Sequence, residues 1–404
     1  MGQPRIVPAI PKQKPLEGQD EFSLALGGPL YQLYLRIGLE RPPVELLARR
    51  ILFISMICWF PLLLLSGIGG HLTAGVSEPF LRDPEVHIRF LLSLPLLIAA
   101  EAFMHGRVRM IVPEFQRRGL IAPEDQGRFE NNVASAIRLR NSVVAEIILV
   151  VLVVTLGYWV WSQSFPLKVS AWYRVIDKGV PSLTLAGHYY AFVSLAVFRF
   201  ILIRWYFRIF IWYRFLWKVS SLPLHFNLFH PDRAGGLGFL ATSLEAFAPV
   251  FVAQTMVVAG NIYAQILYAG GRLPNFRMAI GGVVVFALLA LLFPLGFFAL
   301  RLARAGRLAK LQIGSLSSRY VDDFHQKWIE GGAAPGEPLL GTADIQSLAD
   351  MANSYSVVAG MRLLPLNKEI LVRLVVLLGA PFLPLVLTMV PLSELMQRLF
   401  KLAF

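Results

Sequence analysis

Charged residues inside apolar stretches are the feature of this sequence most able to do chemistry. One apolar stretch carries three arginines, Arg199, Arg204 and Arg208. An arginine at the centre of a bilayer costs about 2.5–3.5 kcal/mol on insertion scales, so it normally has a partner or a function. The candidate counter-charges in other apolar stretches are Glu101, Glu146 and Glu245. We expect an internal arginine–glutamate network, which either lines an ion or proton path or fixes the packing of the helices.

A stripe of amides follows in a later apolar stretch. Gln254, Asn261 and Gln265 are spaced by seven and four residues, which places them on one face of a helix. A polar stripe on a membrane helix either lines water or bonds neighbouring helices to each other. The stripe is therefore a candidate pore lining, and helix packing is the alternative.

Residues 230–238 read HPDRAGGLG and precede an apolar helix. Backbone N–H groups of a glycine-rich turn at a helix start can point at an anion. The candidates for an anion or ligand loop are His230, Asp232, Arg233, Gly235, Gly236 and Gly238. The alternative is a tight turn in which Asp232 caps the helix. This second interpretation is favoured because the Walker spacing and the preceding strand of a nucleotide loop are missing.

Histidine and aspartate in two segments could also assemble a metal or proton site. His230 and Asp232 lie in the glycine-rich turn, and Asp322, Asp323 and His325 lie in a later segment. Imidazole and carboxylate groups suit several divalent metals, but no spacing here is diagnostic. The metal question stays open, and no motif points to a bound cofactor.

The elements that position these residues are apolar helices. Of 404 residues, 56% are hydrophobic and 16% are charged, against about 25% charged in a soluble domain. Seven apolar windows are long enough to cross roughly 30 Å of hydrocarbon. They cover residues 51–70, 87–104, 143–162, 188–209, 237–268, 278–300 and 371–392. The sequence predicts an all-α polytopic bundle of about seven spans with a helical cytoplasmic layer.

The positive charges orient this bundle. Alternate connecting segments carry 27 Lys and Arg on one side and 8 on the other. Because cytoplasmic loops are enriched in these residues, we expect a cytoplasmic N-terminus. The net charge of +13 has the same origin, so no nucleic-acid partner is expected. The expected partners are membrane lipids and further copies of the chain.

Four regions divide the chain. Residues 1–50 form a cytoplasmic segment with a juxtamembrane helix at about 21–41, and residues 51–300 hold six spans. Residues 301–370 form a cytoplasmic helical segment, and residues 371–404 hold the last span and the tail. Prolines 381, 384 and 391 interrupt that last segment, so it is either a kinked span or a re-entrant hairpin.

Two short segments carry a resemblance. FHPDRAGGLGFL at 229–240 and SSRYVDDFHQKW at 317–328 resemble elements of uncharacterised bacterial polytopic inner-membrane proteins. The resemblance covers about a tenth of the chain and implies a bacterial inner membrane. It brings no activity and no site residues with it.

Three functional hypotheses follow. The first is an oligomeric ion channel or transporter with the amide stripe and Arg199 near its path. The second is a membrane-embedded sensor or effector that binds a ligand or partner at its cytoplasmic layer. The third is an enzyme for lipid-linked substrates that uses His230, Asp232 and His325, and it is the least favoured of the three.

Overall fold

The computed structural model describes residues 22–39, 46–163, 170–177, 180–338 and 342–389. The chain is almost entirely helical, and its one described sheet is a two-stranded hairpin, β1 (Arg174–Asp177) and β2 (Val180–Leu183). The helices are α1 (Pro29–Arg36), α2 (Leu47–Ile68), α3 (Pro84–Arg117), α4 (Gln126–Arg140), α5 (Val143–Gln163), α6 (Leu185–Ser220), α7 (Ala241–Tyr268), α8 (Arg277–Leu292), α9 (Gly296–Trp328), α10 (Ala343–Ala359) and α11 (Lys368–Gly379).

The predicted all-α membrane bundle is confirmed. Among the described residues, six helical stretches are long and apolar enough to cross a membrane: Leu47–Ile68, Pro84–Arg117, Leu185–Ser220, Gly238–Tyr268, Leu273–Trp328 and Lys368–Thr388. Helix α5 adds a further apolar stretch, Val143–Thr155. Large apolar side chains on these helices face outward, as expected for helices surrounded by lipid. The protein is a multi-pass membrane protein.

The connections between the helices gather at two ends of the bundle. At one end, which we call the hairpin side, residues 69–83 meet the β-hairpin and the segment after α7. The Ser77 amide donates to the Ser170 carbonyl at 3.1 Å, and the Tyr268 hydroxyl donates to the Arg82 carbonyl at 2.7 Å. At the other end, the N-side, lie the N-terminal segment, α4, residues 221–237 and α10. The Arg362 amide donates there to the Arg233 carbonyl at 2.8 Å.

The N-terminal segment differs from the amphipathic helix expected at 21–41. Its helix, α1, has only eight residues, and residues 22–28 are non-helical and packed into the bundle. Gly27 and Gly28 adopt positive φ angles of 145° and 87°, which stop a helix before Pro29 opens α1. Phe22 is fully buried. The segment is therefore part of the N-side core and not a surface helix.

The proline-containing last segment runs along α7. Arg373 of α11 pairs with Glu245 at the N-side start of α7, with 2.9 Å between Nη1 and Oε1. Leu385 packs in a cluster with Ile262 and Tyr263, near the other end of α7. The two prolines 381 and 384 turn the helix into a 3₁₀ segment, Ala380–Thr388, without reversing it. Residues 390–404, including Pro391, lie outside the described residues.

Candidate functional site

Three acidic residues meet at the hairpin-side start of α3, and we call Glu78, Asp83 and Glu85 the carboxylate cluster. Glu78 and Asp83 are both buried. Asp83 caps α3: its Oδ1 accepts from the Val86 amide at 3.1 Å and its Oδ2 accepts from the Trp172 indole at 2.9 Å. The following Pro84 suits the first helical turn, so the Asp-Pro pair fixes where α3 begins.

The surroundings of the two buried carboxyls raise their pKa values. Burial, together with the negative charges of Asp83 and Glu85, raises the pKa of Glu78 from 4.5 to about 8. Burial and the charge of Glu85 raise the pKa of Asp83 from 3.8 to about 6. The Oε2 atom of Glu78 is buried and makes no hydrogen bond within the described chain. These surroundings therefore favour the protonated form of both carboxyls.

Glu85 connects the carboxylate cluster to two other helices. It forms an ion pair with Arg89, and its Oε2 accepts from the Asn261 amide of α7 at 3.1 Å. Arg89 Nη1 in turn donates to the hydroxyl of Tyr190 on α6 at 2.6 Å. The chain of bonds thus ties α3 to α6 and α7 at the hairpin side.

Arg89 and Tyr190 each lie in a π-helical segment. The segments are Ile88–Ser93 in α3 and Tyr190–Ser194 in α6. Such insertions are rare and occur frequently at functional sites, because they interrupt the regular hydrogen-bond ladder and let a helix change its bend. Here the two insertions face each other across one hydrogen bond. The contact therefore joins two irregular helical segments, one in α3 and one in α6.

An apolar layer follows toward the middle of the bundle. Phe90, Leu94 and Leu97 of α3 are completely buried, and Phe198 of α6 is only 6% exposed. The Trp205 indole donates to the Leu97 carbonyl at 2.9 Å and fastens the two helices together. At this level, apolar side chains fill the space between α3 and α6.

A second charged group lies beyond that layer, at the N-side. We call Arg50, Glu101, Glu146, Arg204 and Arg208 the arginine cluster. Glu101 Oε1 lies 2.6 Å from Arg208 Nη1 and 3.7 Å from Arg204 Nη1, and its Oε2 lies 2.8 Å from Arg50 Nη2. Arg204 Nε also lies 3.5 Å from Glu146 Oε1. All three arginines are buried, so the cluster holds three positive and two negative side chains away from water.

The N-terminal segment closes this arginine cluster from the N-side. Both carboxylate oxygens of Glu146 accept from the Leu30 amide, at 3.0 and 3.2 Å. The Gly28 amide donates to Asn141 Oδ1 at 3.1 Å. Arg50 lies over the ring of Tyr34, 5.3 Å from its centroid. The segment is thus held by the same charged groups that it covers.

The structure assembles part of the predicted arginine–glutamate network. Glu101 and Glu146 meet Arg204 and Arg208, as the apolar stretches suggest. Glu245 lies apart from them, paired with Arg373 and, at 3.7 Å, with Arg107. Arg199 also lies apart: its Nη1 is against Gly157 of α5, and it forms no ion pair with another described residue.

The amide stripe of α7 makes bonds to neighbouring helices and within α7. Gln254 accepts from the hydroxyl of Tyr206, Asn261 donates to Glu85, and Gln265 donates to Asn261 at 2.6 Å. Arg199 faces α5 and not this stripe. The structure therefore does not bring Arg199 and the stripe together along one path.

The glycine-rich turn is filled by its own aspartate. Asp232 Oδ1 accepts from the Ala234 and Gly236 amides at 2.8 and 3.2 Å, and Oδ2 accepts from the Gly238 amide at 2.8 Å. These bonds lower the pKa of Asp232 despite its partial burial. Arg233 adopts a positive φ of 53°, which the tight turn imposes. An external anion would have to displace the Asp232 carboxylate, so we do not propose an anion site here.

The histidines of the two segments are far apart. His230 Nδ1 lies 3.0 Å from Asp232 Oδ1 in the glycine-rich turn. Leu302 of α9 packs against Gly235 of this turn. His325 is 23 residues further along α9, which is about 34 Å at 1.5 Å per residue. Among the described residues, no group of three His, Cys, Asp or Glu side chains could hold a metal ion. Asp322 and Asp323, on the same helix as His325, do not complete such a group among the described residues.

The sequence did not single out Glu78, Asp83, Glu85, Arg89 or Tyr190. A local signal existed, because Asp-Pro-Glu with arginine four residues later marks a capped helix start carrying an ion pair. Arg50 was missed because it stands at the edge of its apolar stretch, where snorkelling to the membrane surface is the simpler expectation. Their burial depends on contacts between distant segments.

Comparison with known proteins identifies no relative of the chain. No protein-family model, no curated protein and no solved structure matches the chain.

Proposed function

We propose that this protein is a proton-linked membrane transporter. The observation that carries the proposal is the burial of Glu78 and Asp83 beside Glu85, with the Oε2 atom of Glu78 making no hydrogen bond within the described chain. Burial and the neighbouring negative charges raise the pKa values of these two carboxyls to about 8 and about 6. A carboxyl that gains and loses a proton in this range can couple a proton gradient to a change of conformation. The facing π-helical segments of α3 and α6 supply a place for such a change.

A transporter fits the closed bundle better than an open channel does. A channel needs a continuous wet path, whereas a carrier exposes its site to one side at a time. The apolar layer around Phe90, Leu94 and Phe198 separates the carboxylate cluster from the arginine cluster. In this proposal the arginine cluster with its covering N-terminal segment is the gate on the N-side.

We further propose that the N-side faces the cytoplasm of a bacterium. The support is the distribution of Lys and Arg, which favours the N-side connections by 27 to 8. The carboxylate cluster then faces the outside, where protons enter down the gradient that a bacterial inner membrane maintains.

The test is proton movement in liposomes. The full chain is reconstituted with a pH-sensitive dye inside, and gradients of protons, alkali cations and chloride are imposed with and without a membrane potential. We expect protein-dependent proton movement that Glu78→Gln abolishes and Glu369→Gln, at an exposed site in the first turn of α11, leaves intact. Absence of proton movement under every gradient would contradict the proposal.

A membrane-embedded sensor is the second candidate. The observation in its favour is α9, which continues past the bundle on the N-side and exposes Leu308, Leu311 and Leu316. Exposed apolar side chains on a basic helix can receive a partner. Absence of proton movement in the liposome experiment, together with specific binding of a partner to this helix, would favour the sensor over the transporter.

A further inference from the structure

Two cavities lie next to each other on the hairpin side. The apolar cavity, about 730 Å³, lies between α3, α7 and the last 3₁₀ segment. Its lining includes Ile88, Leu92, Met256, Tyr263, Pro384 and Leu387. The polar cavity, about 760 Å³, lies at the loop 73–79 and Arg82. Tyr263 and Leu267 line both cavities. One elongated molecule could therefore occupy the two together.

The apolar cavity suits a hydrocarbon chain. Its walls are almost entirely carbon, and a polar ligand would lose its water there without gaining partners. Leu92 and Leu387 at its rim are 54% and 44% exposed, so the cavity opens on the surface that faces lipid. Its volume lies within the roughly 300–1,000 Å³ usual for ligand sites.

The polar cavity suits a negatively charged headgroup. Thr73 and Ser77 contribute hydroxyls, and Arg82 is the one charged side chain among its described lining residues. Arg82 is exposed and forms no ion pair with another described residue. The acidic neighbours Glu78 and Asp83 are both buried, and Asp83 accepts a hydrogen bond from the Trp172 indole at 2.9 Å. Tyr263 and Tyr268 at the boundary are typical of the membrane–water interface.

We propose that the two cavities hold one anionic phospholipid of the surrounding membrane. A chain fills the apolar cavity, and the phosphate of the headgroup lies at Arg82. Pro84 and Ile88 of the apolar cavity flank Glu85, so the bound lipid braces the turn that carries the carboxylate cluster. This site does not depend on the transport proposal, since it rests on the cavities alone.

The first test compares two lipids that share the same chains. Delipidated full-length protein in detergent is titrated with phosphatidylglycerol or phosphatidylcholine, and bound lipid is counted by native mass spectrometry. We expect phosphatidylglycerol to bind about fivefold more tightly, the value for one arginine contact. Arg82→Gln removes this preference, whereas Arg272→Gln, at an exposed site on the same side outside both cavities, retains it.

The second variant pair tests the chain. Met256→Trp fills the apolar cavity and lowers the binding of both lipids, whereas Met278→Trp makes the same change on the outer surface of α8 and leaves binding unchanged. Equal binding of the two lipids to the unmodified protein would overturn the proposal. So would unchanged binding by a Met256→Trp protein that unfolds at the same temperature as the unmodified protein.

A measurement on the unmodified protein covers the case in which these variants do not fold. Phosphatidylglycerol with a photoactivatable group in its chain is bound and irradiated, and the labelled peptides are identified. We expect labels concentrated at 84–92, 256–267 and 381–388, the three segments that line the apolar cavity. Labels spread evenly over the outward-facing helices would show ordinary lipid contact and overturn the site.

Discussion

At the scale of single residues, Glu101 has the most demanding surroundings in the protein. It is buried and lies within 4 Å of arginines from two different helices, α2 and α6. Removing one partner of a buried ion pair is costly because the remaining charge is left without compensation. The side chain therefore holds together a part of the bundle that like charges would otherwise push apart.

We expect Glu101→Gln to lower the free energy of unfolding by about 3–5 kcal/mol, because Arg50 and Arg208 lose their shared counter-charge. Thermal unfolding in detergent measures the change. Glu114→Gln is the matched control, since Glu114 pairs with Arg117 and Arg118 of its own helix near the surface and contributes at most about 1 kcal/mol. Equal destabilisation by both variants would show that the arginine cluster does not depend on Glu101.

The buried carboxyls predict a pH dependence of stability. Their pKa values are higher in the folded chain than in the unfolded chain, so the folded state binds more protons and loses stability as pH rises. Asp83 contributes between about pH 4 and 6, and Glu78 contributes between about pH 4.5 and 8. We expect a loss on the order of 5 kcal/mol from pH 5 to pH 8 in unfolding experiments.

Glu78→Gln separates the two contributions. Above pH 6 most of the remaining titration belongs to Glu78, so this variant should lose little stability between pH 6 and pH 8. Glu369→Gln should retain the full slope. A Glu78→Gln protein with an unchanged slope above pH 6 would assign the titration to another group.

At the scale of elements, the sequence predicts which segments are helices better than how their ends pack. The apolar windows of six described spans and α5 follow from the length and composition that lipid requires. The short α1 was not predicted, because apolar residues in the segment 22–38 fit an amphipathic helix equally well. The length of α1 is set by the positive φ angles of Gly27 and Gly28 and by the hydrogen bond from Leu30 to Glu146. Neither feature can be read from the local pattern of apolar residues.

The attachment of the N-terminal segment gives a prediction for α1. Glu146→Gln weakens the acceptor of the Leu30 amide, and a charged hydrogen bond contributes about 1.5–3 kcal/mol. Hydrogen exchange in Pro29–Arg36 should therefore become roughly tenfold faster or more. Glu130→Gln on α4, whose carboxylate accepts from Gln126 of the same helix, should leave that exchange unchanged. Unchanged exchange in Glu146→Gln would mean that packing alone holds the segment.

At the scale of the whole molecule, the charged groups form two clusters along α3, one at its start and one near its middle. Twelve residues separate Arg89 from Glu101, which is about 18 Å along the helix, and the apolar layer lies between them. The sequence indicated the arginine cluster through charges in apolar stretches. It did not indicate the carboxylate cluster, since Glu78 and Asp83 stand in a loop where acidic residues are ordinarily exposed. Only the fold of the β-hairpin and Trp172 over that loop makes them buried.

The orientation of the bundle can be tested by labelling introduced cysteines. Cys58 is fully buried, so the chain offers a low background for labelling single introduced cysteines. In intact bacteria, a membrane-impermeant maleimide should label Arg272→Cys on the hairpin side, because the connections on that side are poor in Lys and Arg. It should label Lys310→Cys on α9 only after the cells are permeabilised. The reverse pattern would place the carboxylate cluster at the cytoplasmic face, and proton entry from outside would then have to begin at the arginine cluster.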